Sequence, residues 1–126
     1  MLTESTITTM LPVTDSERAG HFYADFLGLK QTGTGEDGTQ YFAAGAGAIG
    51  LRLMPAGTQS ENTALSFEVT NLRSEVSALE GRGVRFQDFE MEGLKTVDHI
   101  AELGSERAAW FTDSEGNVLC LHEMLT

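Results

Sequence analysis

Cys120 and His122 stand two residues apart in the closing run Val118-Leu119-Cys120-Leu121-His122-Glu123. Residues i and i+2 of a strand point to the same face, so a thiol and an imidazole would share one surface. Three chemistries fit that pair. As zinc ligands they are only two, where a catalytic site keeps at least three from the protein, and Glu68 is the one evident candidate for a third. As nucleophile and base they need a lowered thiol pKa and hydrogen-bond contact, yet strand neighbours at this spacing lie ~7 Å apart along the backbone. As the wall of a pocket, a small buried sulfur beside an imidazole needs nothing further. The residues favour the wall.

Arg52 is the other polar residue with a sharp reading, as a guanidinium that binds a ligand carboxylate, phosphonate or carbonyl. A structural pair with Glu68 or another acid is the equal alternative. Trp110 and Phe42 supply aromatic surface for a pocket wall, and Trp110 could also stack on a ligand. His21 reads as a surface residue of a helix. His99 sits in "EGLKTVDHIAEL", a connection long enough to close over a ligand.

Two helices and a set of strands must position these groups. The first helix opens with Thr14 and Glu17 in capping-box spacing, carries Ala19, Phe22, Tyr23, Phe26 and Leu27 at helical intervals, and stops at Gly28. The second begins at Asn71, places Leu72, Val76 and Leu79 on one stripe, and ends in "EGRG", where Gly81 or Gly83 can turn left-handed. Each helix follows an alternating run, "TITTMLPV" and "TALSFEV". Val13-Thr14-Asp15 recurs as Val69-Thr70-Asn71, an offset of 56 residues, and self-similarity at a fixed offset predicts a duplicated supersecondary unit. After the helices, "GLKQT", "QYFAAG" and "AIGLRLM" in one half answer "RFQDFEM", "VDHIAEL", "RAAWFT" and "NVLCLHE" in the other, separated by turn clusters such as "GTGEDGTQ" and "DSEGN".

Both halves therefore read βαβββ, about residues 5–56 and 63–124 of a single domain spanning 1–126. The class is α+β: tandem βαβββ units forming curled mixed sheets around a cup, with antiparallel strands in each unit and one helix covering one face of each sheet. Leu51/Leu53, Leu65/Phe67/Val69 and Leu119/Leu121 form aliphatic rows suited to lie under a helix. The opposite rows are chemically mixed, and with the nearby aromatics they define a candidate ligand-binding cup: Thr8, Met10, Phe42, Arg52, Met54, Ser66, Glu68, Trp110, Cys120 and His122.

Composition narrows the partners. The 126 residues hold 19 acidic against 8 basic side chains, a net charge of −11, with no Lys/Arg cluster, so phosphate backbones would be repelled and nucleic acid is excluded as a partner. The same field tolerates a neutral or cationic small molecule. A single cysteine makes no intrachain disulfide, the N-terminus "MLTESTITTM" lacks a signal-peptide pattern, and no apolar run approaches the ~20 residues of a bilayer span. A cytoplasmic protein away from membranes is expected.

The pattern resembles the vicinal oxygen chelate superfamily, which includes glyoxalase I, extradiol dioxygenases, fosfomycin-resistance enzymes and bleomycin-binding proteins. "LPVTDSERAGHFYADFLGLK" is similar to that family's first strand and helix. "RAAWFTDSEGNVLCLHE" is similar to its closing hairpin, with Asp113 and Gly116-Asn117 in the place of an Asp-Pro-Asp-Gly-Asn turn. The resemblance covers nearly the whole chain and implies a divalent metal held by four inward His, Gln or Glu residues. Carried over by position, those places fall on Thr8, on Arg52 or Gly50, on Ala64 and on Cys120, none of which is such a residue, so no metal cofactor is expected. What the resemblance then implies is a metal-free protein that binds an aromatic or partly cationic molecule, in the manner of drug-sequestering relatives. An enzyme is the alternative: a lyase, isomerase or dioxygenase with a displaced metal, or a metal-independent catalyst with His122 or Glu68 as base. A ligand-free structural or regulatory scaffold is the third class. Relatives of this length pair as homodimers, so a symmetric dimer with two equivalent sites is expected, each cup closed within one chain or across two.

Overall fold

Leu11 and Val13 are 2% and 0% exposed, while Thr8 and Met10, on the other parity, stay exposed. This alternation defines strand β1, Thr8–Val13. The structure, a computed structural model, describes residues 1–56 and 58–125, and the chain divides into two compact units, Met1–Gln59 and Ser60–Thr126.

In the first unit β1 leads into helix α1, Ser16–His21, whose N-cap is Asp15: its carboxylate accepts from the Arg18 backbone N–H at 3.0 Å. The expected box of Thr14 and Glu17 is thus displaced by one residue. Thr14 instead accepts from the Arg18 guanidinium at 3.2 Å. The helix widens into a π-helical turn, Phe22–Phe26, in which the Leu27 N–H reaches the Phe22 carbonyl at 3.1 Å, and Gly28 at φ 69° ends it. Strands β2 (Gln31–Thr34), β3 (Gln40–Ala44) and β4 (Gly47–Leu53) complete a four-stranded sheet of order β1-β4-β3-β2. Helix α1 lies on the face of Leu11, Val13, Gln40, Phe42 and Leu51, because the Gln40 side chain donates to the Ser16 carbonyl at 2.9 Å and Phe42 meets Tyr23 at 6.0 Å between ring centroids. Leu53 shares that parity but is 60% exposed, so the aliphatic row stops at Leu51.

The second unit repeats the plan with an insertion. Strand β5, Thr63–Glu68, is followed by helix α2, Leu72–Gly81, whose N-cap Asn71 accepts from the Ser74 N–H at 3.1 Å. Leu72, Val76 and Leu79 are buried as their spacing requires. The helix closes on Gly83 at φ 105°, with Gly83 and Val84 N–H groups donating to the Glu80 and Leu79 carbonyls at 3.0 Å each, a Schellman arrangement. Then come β6 (Glu90–Met91), β7 (Leu94–Val97), β8 (Ile100–Leu103), β9 (Glu106–Thr112) and β10 (Val118–Met124), giving a six-stranded sheet of order β5-β10-β9-β8-β7-β6.

The α+β class, the tandem repeat and the mixed sheets stand, with two adjustments. Each sheet is mixed and open: β1 pairs β4 and β5 pairs β10 in parallel, since a helical crossover separates the first strand from the rest of its unit. The run "RFQDFEM" yields only the two-residue β6 and a single bridge from Phe86 to Phe111. The segment around His99, expected as a closing loop, is the β7–β8 hairpin, with Asp98 and His99 at its tip at φ 52° and 72°. Among the described residues no helix is long and apolar enough to cross a membrane.

Asp113 explains the "DSEGN" turn. It is 5% exposed and accepts from the Glu115 N–H (2.9 Å), the Asn117 N–H (2.8 Å) and the Asn117 side-chain amide (2.9 Å). One carboxylate thus holds β10 in register with β9.

Candidate functional site

Glu123 lies on the Leu119/Leu121 parity of β10 and accepts from the Leu72 N–H at 2.7 Å, which assigns that face to α2. Cys120 and His122 therefore face away from the helix. Register then brings their neighbours: Cys120 lies opposite Ser66 on β5 and Trp110 on β9, and His122 opposite Glu68 and Ala108. The His122 ring spans two of them. Its Nδ1 is 2.5 Å from Ser66 Oγ and its Nε2 is 3.6 Å from a Glu68 carboxylate oxygen. His122 is 21% exposed at the side chain, Glu68 69%, so the imidazole is held while the carboxylate meets water.

Cys120 touches this chain at Ser66 but is closed to solvent. It is 5% exposed, its thiol donates to the Leu121 carbonyl at 3.4 Å, and burial pushes its pKa up, outweighing the hydrogen bonds of Ser66 and Ala109 that pull it down. A buried, protonated thiol is neither nucleophile nor metal ligand. Trp110 is half-buried, its indole N–H donating to Thr63 Oγ1 at 3.2 Å and its ring meeting Phe89 edge to face at 5.6 Å.

In the first unit the face away from α1 carries Thr8, Met10, Tyr41, Gly50 and Arg52. Phe42, expected to line a cup, is instead 0% exposed on the helix side against Tyr23; adjacent residues alternate faces, so Tyr41 is the aromatic of the surface away from α1. A Cβ on Gly50 would come within 2.7 Å of Met10 Sδ and 3.1 Å of Tyr41 Cε1, so these two side chains close over a backbone that only glycine leaves bare. Arg52 is exposed, not half-buried, and its charge reaches Asp37. The Asp37 carboxyl is held below its ordinary value chiefly by the Thr39 backbone N–H at 3.0 Å, with Arg52 a smaller contribution. Met54 is exposed just past β4, its N–H donating to the Val13 carbonyl at 2.8 Å.

The repeat offset decides between Arg52 and Gly50 as the counterpart of Cys120. Met10 pairs Gly50 in the first sheet, and Ser66, 56 residues after Met10, pairs Cys120 in the second. Gly50 thus corresponds to Cys120, and Arg52 to His122. With this register, the four positions at which the family resemblance would place a divalent ion fall on Thr8, Gly50, Ala64 and Cys120. One has no side chain, one ends at Cβ, one is a hydroxyl, and one is a buried thiol. This donor set does not fit a divalent metal. Among the described residues, no group of three or more His, Cys, Asp and Glu side chains is placed to hold one.

The sequence model of a family described as "Glyoxalase/Bleomycin resistance protein/Dioxygenase superfamily" matches residues 7–121. A search of curated proteins by sequence finds no match. Among solved structures, a glyoxalase family protein from Bacillus anthracis superposes with a TM-score of 0.77 at 15% identity, covering 96% of this chain and 95% of the other. TnmS3, an antibiotic binding protein from Streptomyces sp. CB03234, gives 0.74 at 24% identity, with 98% of each chain covered. A single-substitution mutant of the fosfomycin resistance protein FosX from Listeria monocytogenes, in a complex with Mn(II) and a dihydroxypropylphosphonic acid, gives 0.70 at 14% identity over 97% and 90%. At these identities the likeness is one of fold.

Proposed function

The chain belongs to the Glyoxalase/Bleomycin resistance protein/Dioxygenase superfamily, and from that premise we propose that it is a cytoplasmic, metal-free protein that binds a small aromatic or partly cationic molecule. The observation that carries this reading is the donor set: glycine and alanine occupy two of the family's metal positions, and the thiol at a third is buried and protonated. What remains on the surfaces away from the helices suits binding. In the second unit Trp110 offers a fixed aromatic face and Ser66, Glu68 and His122 a polar edge; in the first, Met10 and Tyr41 offer an adaptable apolar surface. The net charge of −11 draws cations and repels anions. TnmS3, which shares this fold, is named as an antibiotic binding protein.

Isothermal titration with bleomycin-type and polycyclic aromatic compounds tests the reading. Saturable binding by at least one class is expected, and uniform absence of binding contradicts it. A symmetric homodimer with two equivalent sites is part of the proposal. Sedimentation at micromolar concentration should give the dimer mass. The chain of Ser66, His122 and Glu68 favours a second reading, metal-independent acid–base chemistry.

A further inference from the structure

Ser66, His122 and Glu68 are joined in an order that ligand binding alone does not use. Ser66 Oγ lies 2.5 Å from His122 Nδ1 and the Glu68 carboxylate 3.6 Å from Nε2, so that with the ring proton on Nε2, facing Glu68, the Nδ1 lone pair accepts from the Ser66 hydroxyl. This is the wiring of a base-activated hydroxyl, with the two ring nitrogens exchanged relative to the serine-protease triad. The three residues sit on paired strands, where the register of Cys120 with Ser66 and His122 with Glu68 fixes their spacing without a loop. Ser66 is exposed on β5, at the edge of the sheet, so an electrophile can reach Oγ. Cys120, the other candidate nucleophile, is buried.

We propose that Ser66 is a nucleophile toward acyl groups bearing a good leaving group, such as phenyl esters and thioesters, with His122 as base and Glu68 as a positioning residue. The Ser66 O–H proton passes to His122 Nδ1 as Oγ bonds to the carbonyl carbon. The bond from carbon to the leaving oxygen or sulfur then breaks, and the leaving group takes the proton from His122 Nδ1, which frees that nitrogen. Water, giving a proton to the same nitrogen, adds to the acyl-serine; cleavage of the Oγ–carbon bond releases the acid, and the proton returns to Ser66. No oxidant or metal enters. The indole N–H of Trp110, opposite Cys120, is engaged by Thr63 and gives no help to a developing oxyanion, which restricts the substrates to activated ones and makes turnover slow. The inference rests on the acid–base reading, and its failure would leave the aromatic-ligand titration unaffected.

The test is labelling of the full chain with a fluorophosphonate probe, alongside hydrolysis of p-nitrophenyl acetate. One adduct per chain, mapped to Ser66, is expected, with no adduct in Ser66→Ala and labelling about 100-fold slower in His122→Gln. Glu68→Gln should slow labelling several-fold, and Glu68→Asp should restore part of it. Nitrogen-15 NMR of the His122 ring gives a readout independent of whether His122→Gln folds: the wild type should hold its proton on Nε2, and Glu68→Gln should shift population to Nδ1. Absence of an adduct on Ser66, or an Nδ1–H tautomer in the wild type, overturns the proposal.

Discussion

Gly50 and Ala64 are small residues at positions where the family resemblance would place metal ligands. Gly50 is covered by Met10 and Tyr41, and substituting a ligating side chain there meets Met10 Sδ at 2.7 Å before any ion. Restoring a metal would therefore take more than one substitution. Asp113 is the residue whose loss should be felt most locally. Its carboxylate satisfies three donors at 5% exposure, and each hydrogen bond to a buried charged acceptor contributes about 1.5–3 kcal/mol. Asp113→Asn places an amide where these donors converge and should cost roughly 3 kcal/mol in urea unfolding. A loss below about 0.5 kcal/mol would mean that the turn is held by its backbone alone. The identity of this turn was legible from "DSEGN". The parity of Phe42 was not: Tyr41 and Phe42 are adjacent aromatics, and which one faces the helix depends on a register that becomes visible only when Phe42 is paired with Ile49.

The β7–β8 hairpin shows why one element escaped the sequence reading. Its two-residue turn needs positive φ at both central positions, a role that normally falls to Asn-Gly or Asp-Gly, yet here it is Asp98-His99. A non-glycine residue in this conformation costs about 1 kcal/mol, and without glycine the turn signal is faint. His99 compensates through its ring. Nδ1 meets Asp88 at 2.9 Å, Nε2 meets Glu80 of α2 at 3.0 Å, and the ring stacks on Phe86 at 6.1 Å. Beside it Asp98 faces Arg73 at 3.9 Å. Burial pulls the His99 pKa down, but the hydrogen bond and charge of Asp88, with those of Glu80, outweigh it, and the net shift is upward from 6.5. A raised folded-state pKa contributes stability that is fully present below 6.5 and is lost as pH rises through the folded value. Wild type should therefore exceed His99→Ala in stability by about 1–2 kcal/mol near pH 6, and the gap should narrow toward alkaline pH. A gap that is flat or widens with pH contradicts the assignment. The helices, by contrast, were readable because Asp15, Asn71, Gly28 and Gly83 mark their ends by capping and by φ.

For the whole molecule, the duplicated βαβββ plan was visible because its two copies repeat the same cap, the same apolar stripe and the same exit at one offset. The insertion that widens the second sheet to six strands left no comparable mark, since β6 is two residues long and β7 is joined by the turn without glycine. The polar chain of Ser66, His122 and Glu68 was hidden for another reason: it joins strands 56 residues apart, and only their parallel register reveals it. The proposed function is that of a fold kept for recognition without its family's ion, supported by the small residues Gly50 and Ala64 and by the aromatic and polar surface that remains. The central claim is tested most directly through Trp110, the one tryptophan of the chain, whose fluorescence reports ligand binding without a label. Protein stripped with a chelator should be titrated with an aromatic ligand found by calorimetry, with and without added Mn, Fe, Ni or Zn. The account predicts the same saturable quenching and the same affinity, within about twofold, in every sample. Binding that appears only when a divalent metal is restored would contradict it.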